Sequence, residues 1–159
     1  TAHKHGRPVE LNIYDLIQQN YFLFDVGLGV LHSGVVVDGK EYSYGGGGGI
    51  VVSRPRSVEG AEYRETIFMG TTYLSDKQIR DVIHDLKKTY TGDNYQMIQH
   101  NCNNFSNDFC KILVGKEIPS YVNRCAAIAN WVSGVASNVA TLVDKLEIPT
   151  PQLNNKEKT

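Results

Sequence analysis

The sequence predicts an α+β protein in which an antiparallel sheet packs against helices. One observation is a pair of β-rich runs, at 30–37 and 40–44, that flank Asp38-Gly39. An Asp-Gly pair is typical of the type I′ hairpin turn, because both central residues of that turn need a positive φ. The second observation is that apolar residues recur at helical spacing after Ser75 and again after Asn101. The hairpin supplies part of the sheet, and the amphipathic helices are expected to cover it.

Composition limits the classes of function. A chain of 159 residues with 41% hydrophobic and 21% charged residues is typical of one soluble globular domain. The net charge of −1 gives no electrostatic reason to expect binding to nucleic acid or to an anionic membrane. No apolar run reaches transmembrane length, and the first residues lack the apolar core of a signal peptide. We therefore expect neither a nucleic-acid partner nor an integral membrane segment.

Cysteine usage indicates a reducing compartment. The chain has three cysteines, Cys102, Cys110 and Cys125. An odd and sparse set argues against a disulfide framework. The expected location is the cytoplasm, with the nucleus as an alternative.

Several further strands are expected in the first half of the chain. Residues 1–8 are polar and predict a flexible arm. Apolar and polar residues then alternate over 9–14, which is typical of a half-buried strand. Shorter strands are expected at 50–52 and 65–70.

A run of five glycines, Gly45 to Gly49, follows the hairpin. A phosphate-binding loop would need a Gly-Lys-Ser/Thr sequence and a helix start after it, and neither is present. The run is therefore interpreted as a flexible or closely approached loop.

A first amphipathic helix is expected after Ser75, which forms a capping-box pattern with Gln78. Gly92 is the expected end of this helix. Its apolar face comprises Ile79, Val82, Ile83, Leu86 and Tyr90. A later helix is expected within 123–146. The folded domain is thus predicted to span 9–146, with a disordered tail at 147–159.

A second helix is expected to begin at a cysteine. Asn101 is a favourable N-cap, so Cys102 takes the first helical position, near the positive end of the helix macrodipole. That position is expected to favour the thiolate, which is the nucleophilic form. The apolar stripe of this helix comprises Phe105, Phe109, Ile112 and Leu113, and Gly115 is the expected stop. The alternative interpretation is an ordinary buried cysteine.

A cysteine nucleophile needs a base, and His32 is the candidate among the five histidines. It stands at the head of an otherwise apolar strand, where a buried imidazole costs free energy unless it has a partner. The alternative is a core histidine with satisfied hydrogen bonds. Of the others, His84 lies off the apolar helix face and His100 is too close in sequence to Cys102. No Cys-x-x-Cys or His-x-x-x-His spacing indicates zinc, and neither a metal nor another cofactor is expected.

Three segments carry a resemblance to a known family. His32-Ser33-Gly34, Glu41-Tyr42-Ser43-Tyr44-Gly45-Gly46 and Asn101-Cys102-Asn103-Asn104-Phe105-Ser106 resemble the PPPDE family of permuted-papain-fold peptidases, also called desumoylating isopeptidases. The similarity is closer to the second animal branch of that family. It implies a permuted papain-like fold without a cofactor. It also implies Cys102 as nucleophile and His32 as general base and then general acid.

The hairpin register suggests which residues surround His32. Pairing across the turn sets Gly34 opposite Ser43 and His32 opposite Gly45, and Gly34 leaves room on that face. Ser43 is a candidate for orienting the imidazole. The oxyanion is expected to be bound by the Cys102 backbone N–H and one further donor. The candidates for that donor are Gln99, Asn101 and Asn103.

The leading function is removal of ubiquitin or a ubiquitin-like modifier such as SUMO from lysine, through a thioester intermediate. Conjugates of these modifiers are the expected partners, and a homodimer is left open. Gly45 and Gly46 are candidates for a channel that admits a glycine-rich chain end, although the run could also be a plain connector. The alternatives are a protein S-depalmitoylating thioesterase or a lipid acyltransferase with the same dyad, and a non-catalytic binding module.

Overall fold

An antiparallel sheet of five strands forms the framework, in the order β4-β3-β2-β1-β5. The computed structural model describes residues 4–16, 31–96 and 99–123, and all of them belong to one compact unit, Thr1–Ala127. The strands are β1 Arg7–Asp15, β2 Leu31–Val37, β3 Lys40–Gly45, β4 Gly49–Ser53 and β5 Glu62–Thr72. The helices are α1 Asp76–Thr89, α2 Cys102–Val114 and a short 3₁₀-helix at Ser120–Asn123. The predicted α+β class with an antiparallel sheet is confirmed. Apart from Asn123, the predicted helix at 123–146, Cys125 and the predicted tail lie outside the described residues.

The hairpin between β2 and β3 turns where the sequence indicates. Asp38 and Gly39 have φ values of 53° and 67°, as a type I′ turn requires. Val37 pairs with Lys40, so the predicted register is confirmed at the turn.

β1 begins at Arg7, inside the stretch that was expected to be an arm. Arg7 points to the same face of the sheet as the core residues, and its side chain is buried because it has partners there. Its guanidinium bonds the carboxylates of Asp38 and Asp76 and the carbonyl of Leu74. A buried charge of this kind interrupts the alternating pattern, which is why the sequence showed a shorter strand.

The core lies between one face of the sheet and the helices. Phe105 and Phe109 of α2 have no exposed surface, and Phe109 packs edge-on against Tyr42 of β3 at 5.4 Å between ring centroids. Leu113 extends this stripe as predicted, but Ile112 is 47% exposed. The fully buried Cys110 takes the inward position instead.

α1 begins at the predicted capping box. The Ser75 hydroxyl accepts the N–H of Gln78, and the Gln78 side chain accepts the N–H of Ser75. The expected end at Gly92 was wrong, because the helix is capped at Tyr90, whose N–H still bonds the Leu86 carbonyl. The described part of the chain contains no helix long and apolar enough to cross a membrane.

The five-glycine run forms the tight connection between β3 and β4, in which Gly45 pairs with Gly49. The Gly47 N–H donates to the Gly92 carbonyl at 3.2 Å. A Cβ on Gly92 would lie 2.5 Å from the Gly47 carbonyl oxygen. A side chain cannot fit there, so the run is a closely approached loop, as predicted.

Candidate active site

Helix α2 begins at Cys102 because Asn101 caps it. The Asn101 side-chain oxygen accepts the backbone N–H groups of Asn103 and Asn104 at 2.9 and 3.1 Å. In return, the Asn104 side-chain oxygen accepts the Asn101 N–H at 2.9 Å. This reciprocal cap satisfies orphan donors of the first turn and fixes Cys102 as the first residue of the helix.

Buried polar contacts join the start of α2 to the start of β2. The Ser33 hydroxyl lies 2.7 Å from Asn103 Oδ1 and 2.9 Å from Ser106 Oγ. Asn103 Nδ2 donates to the Leu31 carbonyl at 2.9 Å and to the Val122 carbonyl at 3.1 Å. The first turn of α2 is therefore held against the residues on either side of His32.

The thiol of Cys102 lies in this junction with an exposed fraction of 4%. Burial raises the pKa of the thiol, while the Ser33 N–H and the Tyr95 hydroxyl bond the sulfur and act in the opposite direction. The expectation that the helix start favours the thiolate was wrong for this structure. The macrodipole and these donors do not offset the loss of hydration.

The ladder between β2 and β3 ends at this point. The last residue pair of this ladder is Val35 with Tyr42. The expected pairs that are absent from the ladder are Gly34–Ser43 and His32–Gly45. The physical reason is that the Ser33 N–H bonds the Cys102 sulfur, so the start of α2 meets β2 where the pairing with β3 has ended.

His32 is the second residue of β2 and pairs with Tyr14 of β1. The two rings lie 5.8 Å apart between centroids. Burial lowers the pKa of His32, and the charge of Glu41 acts in the opposite direction. His32 Nε2 is buried and has no hydrogen-bond partner among the described residues. Within the same part of the chain, no hydrogen bond joins this imidazole directly to the Cys102 thiol, and Ser33 is the link between them.

Ser43, the predicted orienting residue, and Glu41 both lie on β3 beside the hairpin turn. Ser43 is half-buried, and the described residues include no hydrogen bond between its hydroxyl and His32. Glu41, two residues earlier on the same face, has no exposed surface. A Cβ on Gly34 would lie 2.2 Å from Glu41 Oε1. The room that Gly34 leaves is therefore filled by the Glu41 carboxylate. The hairpin register places Glu41 on the face of His32, but nothing else in the sequence indicated that it is buried there.

The candidate oxyanion donors differ in what they already bind. Both amide hydrogens of Asn103 are directed at the Leu31 and Val122 carbonyls. Asn101 Nδ2 donates to Asn123 Oδ1 at 3.2 Å. Gln99 is exposed in the loop before the helix. Of the three, Gln99 is thus the one whose amide makes no hydrogen bond within the described residues.

Tyr95 was missed as a site residue. Its hydroxyl bonds the Cys102 side chain and accepts the Cys102 backbone N–H, and burial raises the pKa of this phenol. A Cβ on Gly46 would lie 3.6 Å from the Tyr95 ring. The glycine loop therefore reaches the candidate site through Tyr95. The sequence pattern before the helix indicated only a strand or a packed turn here.

His84 and His100 lie in other surroundings. His84 is exposed on α1. His100 stacks on Tyr90 at 4.4 Å between ring centroids, and its Nε2 lies 3.0 Å from the Thr89 carbonyl. The described residues contain no cluster of His, Cys, Asp or Glu that could hold a metal ion. The arrangement offers a thiol, an imidazole and backbone N–H donors, which suits acyl transfer.

Comparison with known proteins gives a consistent result. The "PPPDE putative peptidase domain" matches residues 7–143. A DeSI-like protein of Arabidopsis thaliana is 33% identical over 94% of this chain and 71% of its own length. The desumoylating isopeptidase 1 homolog of Caenorhabditis elegans is 36% identical over 78% of this chain and 40% of its own length. Desumoylating isopeptidase 1 of Homo sapiens is 29% identical over 91% of this chain and 89% of its own length.

Proposed function

Because the chain belongs to the PPPDE peptidase family, we propose that it is a cysteine isopeptidase of permuted papain type that removes SUMO from lysine side chains. The observation that carries this proposal is the family match over 7–143 together with relatives named desumoylating isopeptidase. Ubiquitin and other ubiquitin-like modifiers are substrates of the same chemical class. In each case the bond is an amide between a chain-end carbonyl and a lysine nitrogen.

Cys102 is the nucleophile and His32 the base in this proposal. Burial raises the pKa of the thiol and lowers the pKa of the imidazole, so both groups are neutral at rest. The reaction then begins when the thiol proton moves to the imidazole as the sulfur attacks the carbonyl carbon. Ser33 supports this step, because its N–H bonds the sulfur as negative charge develops.

The imidazolium formed in this way acts as the acid for bond cleavage. It returns the proton to the lysine nitrogen as the C–N bond breaks, which leaves a thioester on Cys102. Water then attacks the thioester with His32 again as base, and the modifier leaves with a carboxylate end. The Cys102 N–H is the first oxyanion donor, and the oxyanion takes the place of the Tyr95 hydroxyl that accepts this N–H at rest. Gln99 is the side-chain amide left available for the second.

The glycine loop is the proposed path for the modifier's chain end. Gly46 is exposed and lies against the Tyr95 ring, next to the thiol. A loop without side chains leaves a narrow channel that suits an extended, glycine-rich segment. A reducing compartment, the cytoplasm or nucleus, would keep the thiol active, since Cys102 and Cys110 are both free.

Electrophilic probes made from SUMO, from ubiquitin and from a palmitoyl thioester mimic test the proposal. The SUMO probe should label the wild-type chain at Cys102 fastest, and Cys102→Ser should not react. Cys110→Ala is the matched control, because that cysteine is fully buried and its pKa is raised to about 12. His32→Gln should lower the hydrolysis rate by roughly 10²–10⁴-fold.

The outcomes separate the candidate functions. Labelling only by the palmitoyl probe would replace the isopeptidase with a thioesterase. Tight binding of SUMO without labelling or hydrolysis would make the chain a binding module. Full activity in His32→Gln would remove the dyad from the mechanism.

A further inference from the structure

Glu41 is a carboxylate with no exposed surface, and the mechanism above gives it no part. It lies on β3, paired with Val36 of β2. Directly paired residues share a face of the sheet, and side chains two residues apart along a strand do too. Glu41 therefore lies on the same face as Gly34 and His32. A buried charge is costly, so its presence on the His32 face needs a reason.

Within the described residues, every polar contact of this carboxylate comes from a hydrogen-bond donor. Asn12 Nδ2 donates to Oε2 at 2.8 Å. The Tyr14 hydroxyl donates to Oε1 at 2.6 Å and lies 2.8 Å from Oε2. The Arg56 backbone N–H donates to Oε2 at 2.9 Å. Within the described residues the carboxylate thus accepts hydrogen bonds from three groups, which is the arrangement that suits an acceptor.

The donors are themselves held in place. Asn12 Oδ1 accepts the Thr66 hydroxyl at 2.7 Å, which turns the amide nitrogen towards Glu41. Burial, followed by the hydrogen bond and charge of Glu41, raises the pKa of Tyr14, so that phenol stays protonated and remains a donor. The carboxylate itself fills the notch at Gly34, where a Cβ would lie 2.2 Å from Oε1.

Tyr14 connects this carboxylate to His32. Its hydroxyl bonds Glu41, and its ring lies 5.8 Å from the imidazole between centroids. Two further side chains lie beyond Tyr14. Tyr63 of β5 packs on the far side of Tyr14 at 6.2 Å. The Arg56 guanidinium stacks over Tyr63 at 4.4 Å.

A second carboxylate near His32 is already neutralised by an ion pair. Asp15 of β1 pairs with Arg64 of β5 at 3.0 Å. Cys102 of α2 approaches His32 through Ser33, whose N–H bonds the Cys102 sulfur. Glu41 is thus the group whose charge acts on His32, in the direction that favours the protonated ring.

We propose that Glu41 is a positioning residue for the Cys102–His32 reaction. Its carboxylate, held in the Gly34 notch, is the counter-charge that stabilises the imidazolium of His32. This inference rests on the proposed function. When the thiol proton moves to the imidazole and the S–C bond forms, the new positive charge appears beside a fixed negative one. The proton then passes to the lysine nitrogen as the C–N bond breaks, and Glu41 keeps its charge throughout.

The test is the titration of His32, followed by NMR of its imidazole C–H signal and assigned with His32→Gln. Glu41→Gln removes the charge with little change in size. We expect the pKa of His32 to fall by about one unit, with a roughly tenfold loss of kcat and little change in KM. The acid limb of the pH–kcat profile should move to lower pH by the same amount. Glu10→Gln is the matched control, because it makes the same substitution at a half-buried carboxylate of β1 that also pairs with Val36 and does not act on His32, and it should move neither.

A second variant has the opposite expected sign. Tyr14→Phe keeps the ring beside His32 but removes a hydroxyl that shares the charge of Glu41, so the pKa of His32 should rise. An unchanged His32 titration in folded Glu41→Gln would overturn the proposal. If Glu41→Gln does not fold, an unchanged or lowered pKa in Tyr14→Phe would overturn it instead. Because the titration needs no substrate, a chain that titrates as expected but labels with no probe would refute only the proposed function.

Discussion

Asn103 is the residue whose replacement should do most damage to the site without touching the reacting groups. Its side chain makes three buried hydrogen bonds, to the Leu31 carbonyl, the Val122 carbonyl and the Ser33 hydroxyl, at 2.9, 3.1 and 2.7 Å. Asn103→Ala leaves two buried carbonyls without this donor. An orphaned buried polar group costs roughly 1–3 kcal/mol. The Ser33 hydroxyl loses less, because Ser106 remains 2.9 Å away.

The expected loss is therefore about 3 kcal/mol of unfolding free energy, taking the lower half of that range for each carbonyl. In a chain of this size it should lower the thermal midpoint by roughly 6–12 °C. Urea unfolding and thermal unfolding by circular dichroism measure it. Asn104→Ala is the matched control. Within the described residues, the side chain of that neighbouring asparagine makes the reciprocal capping bond to Asn101 and no other, so its loss should cost about 1 kcal/mol.

A double-mutant cycle isolates the link between the two elements. Ser33→Ala and Asn103→Ala should be non-additive by about 1 kcal/mol, since they remove the same hydrogen bond. The folded fraction of Asn103→Ala should also lose more than tenfold in kcat/KM, because small displacements of reacting groups slow catalysis steeply. Equal destabilisation in Asn103→Ala and Asn104→Ala would refute the assignment of Asn103 as the tie between α2 and β2.

Four further predictions follow from the same structure. Tyr95→Phe removes a donor to the sulfur, so the pKa of Cys102 should rise and the pH profile of alkylation by iodoacetamide should move to higher pH. Gly46→Val should slow hydrolysis of a SUMO conjugate by roughly tenfold, while alkylation of the thiol by the same small reagent changes little. Phe109→Ala should cost about 3–5 kcal/mol in urea unfolding, because the side chain has no exposed surface. Burial lowers the pKa of His32 from 6.5, so its contribution to stability is present above pH 6.5 and is lost as the pH falls through the lowered value. His32→Gln should flatten that part of the stability–pH curve.

Each of these has an outcome that would contradict it. An alkylation profile unchanged in Tyr95→Phe would mean that the phenol does not stabilise the thiolate. Loss of both hydrolysis and alkylation in Gly46→Val would assign the loop to folding alone. A cost below 1 kcal/mol for Phe109→Ala would mean that α2 does not depend on this contact with the sheet. A stability–pH curve of identical shape in wild type and His32→Gln would remove the imidazole from the acid transition.

Local signals in the sequence predicted the elements of the described fold well. Asp38-Gly39 determined the turn because few residue pairs tolerate two positive φ values. Ser75 with Gln78, and Asn101 before α2, indicated helix starts because their side chains can satisfy the first N–H groups. These signals depend on neighbours within four residues, so they can be read without knowing the tertiary structure.

Properties that depend on packing between distant segments were not readable in this way. The thiol of Cys102 was expected to be acidified by its helix, but burial beneath Ser33 and Tyr95 has the larger effect on its pKa. The register of the hairpin was correct at the turn and failed towards His32, where α2 meets the strand. The sequence indicated only that Glu41 belongs to a strand. The structure adds that its carboxylate occupies the notch left by Gly34, which is where the charge can be buried.

The two faces of β2 divide the proposed chemistry between them. Ser33 faces the helix, where it holds Asn103 and Ser106. His32 faces the opposite side, where it meets Tyr14 beside the Glu41 carboxylate. The Cys102 sulfur is bonded by the Ser33 N–H, which lies in the plane of the sheet between these two faces. The sulfur can therefore be buried by α2 while the imidazole stays beside the Glu41 carboxylate. A neutral thiol and a neutral imidazole at rest are then compatible with a counter-charge that acts only after the proton has moved.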